Sequence, residues 1–178
     1  MSLATIYPSG PRLSFRDFDA QDTADVHEYS ADPLVTRFST WGLNSLEQTT
    51  AFVEEAAQAH LLENRTAFSL AAVMDGKTIG SVGIWTTDAH DRNGELGYTF
   101  HRAYWGKGYA SEAVAMLLSF GFTTLGFERI TATCHPENQG SIRVLEKNGF
   151  SWEGRLRSHR LVRGKRRDSM LYSILRGE

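Results

Sequence analysis

The segment Trp105-Gly106-Lys107-Gly108-Tyr109-Ala110-Ser111-Glu112 lies between a strand-like run, Glu95 to Phe100, and a long apolar stretch that begins at Ala110. A glycine-rich turn in that place aims unpaired backbone N–H groups at one point, at the positive end of a helix dipole, and so suits a pyrophosphate. Glycine matters because a side chain there would hold phosphate oxygens away from the main chain. Lys107 stands at the rim, either adding charge or simply solvated. The turn has neither the Gly-x-x-x-x-Gly-Lys-Ser/Thr of a P-loop nor the Gly-x-Gly-x-x-Gly of a dinucleotide fold. The chemistry indicated is the binding of a phosphorylated cofactor that neither of those motifs reads. A metal is not indicated: His27, His60, His90, His101, His135 and His159 are far apart, with no i, i+4 pair, and Cys134 is the only cysteine.

The elements that must position this turn can be read from periodicity. Arg12 to Phe18 alternates Leu13 and Phe15 with polar neighbours, as a half-buried strand does. Ala20 to Ser30 reads as a short helix stopped by Asp32-Pro33. Asn44 or Ser45 caps a second helix, with Leu46, Thr50, Val53 and Ala57 on one face. Ala67–Met74 and Thr78–Trp85 are β-branched runs joined by Asp75-Gly76, a hairpin signal. Thr86 to Asn93 reads as a polar loop, after which the strand Glu95–Phe100 feeds the glycine turn. Ala110 to Leu125 carries a helical stripe, Ala113, Val114, Leu117, Leu118 and Phe122, closed by Gly126. Arg129–Cys134 is a buried strand, Ser141–Asn148 a helix closed by Gly149, and Met170–Leu175 a last strand. This order implies an α/β layered sheet with helices on both faces.

The chain has 178 residues, an ordinary size for one domain, and neither a repeat nor a linker divides 1–178. No apolar run reaches 18 residues, and the start Met1-Ser2-Leu3-Ala4-Thr5 lacks the pattern of a signal peptide, so a cytoplasmic location without membrane contact is expected. Cys134 reads as a small core residue, with a catalytic thiol as the weaker alternative. The net charge of −2 conceals an asymmetry: from Ser151 onward there are eight Lys and Arg against three Asp and Glu. That stretch is either a solvated hairpin or a patch for an acidic partner or the nucleotide end of a cofactor. Without interleaved aromatics or a recognition helix, direct nucleic-acid binding is not expected.

The turn, read as Trp105-Gly106-Lys107-Gly108-Tyr109-Ala110, resembles the Arg/Gln-x-x-Gly-x-Gly/Ala signature of the GNAT superfamily of acyl-CoA N-acyltransferases. Trp105 departs from it, standing where many members carry Arg or Gln. Asn138 to Phe150 resembles the Asn-x-x-Ser-x-x-x-x-x-Lys-x-Gly-Phe segment of the same superfamily, and Arg12-Leu13-Ser14-Phe15-Arg16 resembles the opening strand of the branch similar to ribosomal-protein-alanine N-acetyltransferases. The resemblance implies a mixed, mostly antiparallel GNAT-like sheet and transfer of an acetyl group from acetyl-CoA, as co-substrate, to a primary amine in a ternary complex. It further implies that the backbone of Gly106, Lys107, Gly108, Tyr109, Ala110 and Ser111 binds the pyrophosphate, that the amide of Phe100 faces the thioester, that Asn138 bonds the cofactor arm, and that Ser141 protonates the departing sulfur. Phe38 and Trp41 would line the acceptor pocket. The carboxylate that some relatives carry after Glu153-Gly154 is replaced by Arg160, with His159 beside it. This leaves Glu95, His135 and His159 as bases acting through water, and His159 and Arg160 as acceptor contacts.

The acceptor is open at this point: a peptide N-terminal α-amine, a small amine or an antibiotic, since pocket loops and not the fold decide it. A succinyl-type donor, its carboxylate met by Arg160, is a second reading. A coenzyme A-binding sensor without turnover is the non-enzyme alternative. The resemblance is compatible with a homodimer.

Overall fold

The computed structural model describes residues 7–178. Seven strands form one sheet in the order β1-β2-β3-β4-β5-β7-β6. They are β1 Ser14–Asp17, β2 Ala67–Met74, β3 Lys77–Asp88, β4 Asn93–Phe100, β5 Arg129–Cys134, β6 Ser151–Val162 and β7 Lys165–Leu175. Neighbours run antiparallel except β4 and β5, which are parallel. The helices are α1 Thr23–Ser30, α2 Leu46–Gln58, α3 Tyr109–Ser119 and α4 Gln139–Lys147. No helix among the described residues is long and apolar enough to cross a membrane.

Alternation along β2 shows why both faces are covered. Leu70 and Ala72 belong to a cluster that includes Ile84, Leu96, Val114, Leu117 and Ile130, whereas Ala71 packs with Phe18, Val26, Tyr29, Val53 and Ala56. Because successive side chains point to opposite faces, a run apolar at every position must have partners on both sides. Helix α3 buries the first face, and α1 with α2 bury the second.

The Asp75-Gly76 hairpin forms as expected, with φ of 49° and 81° at its centre. Four expectations shift. The ladder of β3 and β4 continues through Thr86 to the pair Asp88 and Asn93, so the polar loop shrinks to a tight turn; an antiparallel ladder can run into solvent while its polar side chains stay wet. The buried stripe of α2 is Thr49, Val53 and Ala56, and Leu46 is exposed. The apolar stretch from Ala110 is α-helical only to Ser119, with a π-turn over Phe120–Thr124 before Gly126. The last strand begins at Lys165, so the Arg-rich segment is a long two-stranded ladder, turning at Arg163-Gly164.

Candidate active site

The glycine turn is held from a distance. Gly106 and Gly108 have φ of 73° and 85°, and Gly108 is the N-cap of α3, so the amides that follow it point out of the helix start. The left-handed φ favours glycine at Gly106, where an added Cβ would meet nothing within 4 Å. The turn is braced by Arg12, whose guanidinium donates to the Lys107 carbonyl at 2.9 Å and lies 4.3 Å over the Tyr109 ring. Glu112, in the first turn of α3, accepts from the Arg12 and Leu13 amides at 2.8 and 3.0 Å and from the Arg12 Nε at 2.7 Å. Burial pushes the Glu112 carboxyl up, but these donors outweigh it and hold the group below its ordinary value. Trp105, the departure from the signature, donates its indole N–H to the Phe100 carbonyl at 2.8 Å, a polar contact that the sequence did not reveal.

The strand feeding this turn parts from its neighbour. Strands β4 and β5 pair only from Asn93 with Arg129 to Glu95 with Thr131. Beyond that they diverge, while β3 stays paired with β4 as far as Phe100. The His101 amide donates to the Ile79 carbonyl, so in an alternating antiparallel ladder the odd-numbered backbone groups of β4 face β3. The amides of Tyr98 and Phe100 therefore face the opening gap. Together with the glycine turn they give an extended backbone edge whose donors have no partner among the described residues, ending at a helix start. Residues of this kind can hold a diphosphate at one end and pair with an extended amide-bearing arm along the other.

Helix α4 forms the far wall. Asn138 is its N-cap, its side chain accepting from the Ser141 amide at 3.2 Å. The Ser141 carbonyl accepts from the Tyr98 hydroxyl at 3.4 Å, across the gap, and the Ser141 side chain lies beside the same phenol. Tyr98 is mostly buried, which pushes its phenol well above its usual range. Cys134 is buried at the end of β5; burial, with the charge of Glu146 adding, pushes its thiol up to about 11, so it is a protonated core side chain.

The gap opens into a cleft of about 1380 Å³. Phe38, Trp41, Glu95, Phe100, Gly106, Gly108, Tyr109, Ala110, Ser111, His135, Asn138, Ser141 and Arg160 all line it; Lys107 and His159 do not. Lys107 contributes its carbonyl to the Arg12 brace, and His159 is turned to the Ser169 hydroxyl at 3.0 Å. Phe38 stacks on the His135 ring with centroids 5.0 Å apart. The Glu95 carboxylate accepts from the Thr133 hydroxyl at 3.3 Å and lies 3.9 Å from the Arg160 guanidinium. The loop bearing Phe38 and Trp41 is clamped by Arg163 at the tip of the β6–β7 hairpin, which donates to the Thr36 and Trp41 carbonyls at 3.1 and 2.5 Å. Tyr98, Arg163 and the Arg12–Glu112 brace escaped the sequence reading. Only a buried phenol in an amphipathic strand hinted at the first; nothing in spacing marks a contact made across 122 residues.

Comparison with known proteins agrees with this geometry. The family model described as an acetyltransferase (GNAT) domain matches residues 12–151. An uncharacterized N-acetyltransferase, p20 of Bacillus licheniformis, is 32% identical over 177 residues, covering 99% of this chain and 98% of that one. A solved GNAT-family acetyltransferase from Bacillus anthracis superposes with a TM-score of 0.85 at 30% identity, covering 97% of this chain and 100% of its own. RimL, an α-N-protein acetyltransferase acting on a ribosomal protein and solved in complex with coenzyme A, shares the fold with a TM-score of 0.80 at 20% identity, covering 96% and 98%. A glycine turn at a helix start, two strands that part beside it and a family match over most of the chain leave one assignment: this protein belongs to the GNAT family and is an acyl-CoA-dependent N-acetyltransferase.

Proposed function

We propose that the chain transfers an acetyl group from acetyl-CoA to a primary amine by direct attack in a ternary complex, with the roles divided as follows. The observation that carries this reading is the alignment of the Tyr98 and Phe100 amides with the Gly106–Ser111 turn along one unpaired edge. With a diphosphate at the turn, an extended arm passes Phe100 first and Tyr98 second, so the reactive end lies at Tyr98, next to Ser141. The Tyr98 amide then donates to the thioester oxygen as it gains charge, and the Phe100 amide holds the arm. The Ser141 hydroxyl, beside the Tyr98 phenol, supplies a proton to the sulfur as it leaves. Asn138 keeps that hydroxyl in place by capping α4, and its amide nitrogen is free to bond the arm.

Of the two bases that line the cleft, Glu95 is preferred to His135. The His135 Nδ1 accepts from the Glu137 amide at 3.2 Å, so the neutral ring carries its proton on Nε2 and has no second lone pair to offer. Burial lowers the His135 pKa, so that neutral form dominates near pH 7. Glu95 faces the same cleft from β4 and has an open carboxylate oxygen with which to take the amine proton through water. The acceptor is proposed to be a primary amine, including a protein N-terminal α-amine, entering past Phe38 and Trp41. Calorimetric titration with coenzyme A, followed by thiol release from acetyl-CoA over a panel of amines, tests the reading. Binding with turnover supports it; binding without thiol release from any amine would leave only a coenzyme A sensor, and absence of binding would remove both.

A further inference from the structure

The acceptor end of the cleft carries a charge arrangement that transfer to an amine does not by itself require. Arg37 from the loop after α1, Arg160 from β6 and Arg167 from β7 all line it. Arg37 lies over the Phe38 ring, 4.9 Å from its centroid, and both Arg37 and Arg167 lie near enough to the His135 imidazole to disfavour its protonated form. Among the described residues neither Arg37 nor Arg167 makes a hydrogen bond or an ion pair. Among the other basic residues of the hairpin, Arg155 binds Asp168 at 2.6 Å, Arg163 clamps the loop and Arg166 donates to the Ser158 carbonyl, while Arg157 and Lys165 do not line the cleft. The carboxylates on this wall are Glu95, beside Arg160, exposed Glu137, and Asp168, already held by Arg155 and the Ser158 amide.

We infer that the acceptor is an amine whose own skeleton carries an anionic group, a carboxylate or phosphate, which Arg37 and Arg167 receive while the amine lies toward Glu95. The inference rests on the acetyltransferase reading of this cleft. Two unpaired guanidiniums with planar donor forks match the oxygens of such a group, and Phe38 with His135 gives a flat apolar wall between the two ends of the acceptor. The same cations repel a second ammonium, so a polyamine is a poor ligand of this site. A guanidinium near the reacting nitrogen also favours its neutral, nucleophilic form.

The test uses short three-carbon amines that differ in end-group charge on the coenzyme A-bound protein: 3-aminopropyl phosphate and β-alanine against 1,3-diaminopropane, and peptides beginning Ser-Asp-Glu against Ser-Lys-Lys. Binding is measured by calorimetry and transfer by thiol release from acetyl-CoA. The anionic member of each pair is expected to bind at least about tenfold more tightly at low salt, the preference shrinking as salt rises. In the Arg37→Gln, Arg167→Gln double variant the ratio should fall to about twofold, with the melting temperature little changed because neither side chain has a hydrogen bond or ion pair to lose. Preference for the peptides alone or the small molecules alone identifies the source of the anion. Equal or tighter binding of the cationic members, or a ratio that survives the double substitution, overturns the inference. If the anionic amines bind and are not acetylated, the inference stands and the catalytic reading falls; if all amines are acetylated without preference, the reverse holds.

Discussion

The Gly106→Ala substitution separates backbone strain from cofactor contact, because the fold supplies a matched control. Gly106 and Gly126 have nearly the same left-handed φ, 73° and 75°, and an added Cβ meets nothing within 4 Å at either. Gly106 lines the cleft and Gly126 does not. A left-handed conformation costs an alanine about 1–2 kcal/mol, so each variant should lose about that much stability. For a domain of this size that is a fall in Tm of about 2–8 °C. Only at the turn does the methyl group also enter the cleft wall where the proposed diphosphate would lie. Losing one charge-assisted amide contact there is worth about 1.5–3 kcal/mol, which weakens coenzyme A binding by about 10- to 100-fold. Calorimetric titration of both variants, with melting curves, measures both effects. Wild-type affinity for coenzyme A in both variants would refute the claim that this turn holds the diphosphate; an equal loss of affinity in both would mean that strain spreads through α3.

Other substitutions probe the remaining parts of the site. Ser141→Ala should lower kcat by about tenfold or more with coenzyme A affinity kept, since the Asn138 cap is made to the backbone amide; an unchanged kcat removes Ser141 as the acid. Arg163→Ala frees the loop carrying Phe38 and Trp41, so the acceptor KM should rise several-fold with coenzyme A affinity unaltered; a change confined to coenzyme A would contradict the clamp. Glu112→Ala leaves the Leu13 amide of a buried residue without its acceptor and unties Arg12 from the turn, for a loss of about 1–3 kcal/mol, read as a fall in Tm together with weaker coenzyme A binding. The Glu153 carboxyl is drawn down to about 2 by the Arg129 guanidinium first and the Ser173 hydroxyl second, joining β6, β5 and β7. Its contribution to stability is complete above its unfolded value of 4.5 and is lost as pH falls toward about 2. Melting curves across that window should therefore slope less for Glu153→Gln than for the wild-type protein, and parallel slopes would show the pair to be without effect.

Local periodicity was enough for the α/β layering, the helix over Ala113 to Leu118, the hairpin at Asp75-Gly76 and the glycine turn before α3, because each depends on residues within a few positions of one another. Spacing between the turn and the Asn138–Ser141 segment carried the family resemblance for the same reason. What the chain order left undecided is what distant segments do when they meet. The parting of β4 from β5 after Glu95 is a property of two strands separated by α3, and only it shows that the Tyr98 amide shares the cleft with that of Phe100. Packing also separates the two proposed bases: His135 and Glu95 are equal by residue type, and only His135 has its Nδ1 occupied, by the Glu137 amide. His159 and Arg160 are neighbours in sequence, yet strand alternation sends one to Ser169 and the other to the cleft. The basic residues after Ser151 read as a uniform run, and the ladder sorts out of it structural partners such as Arg155, a clamp at Arg163 and an unpaired guanidinium, Arg167, that lines the cleft. Sequence supplies the groups that interact over short range; the fold sets which long side chains find a partner, and the charges left without one mark where an acceptor is expected to bind.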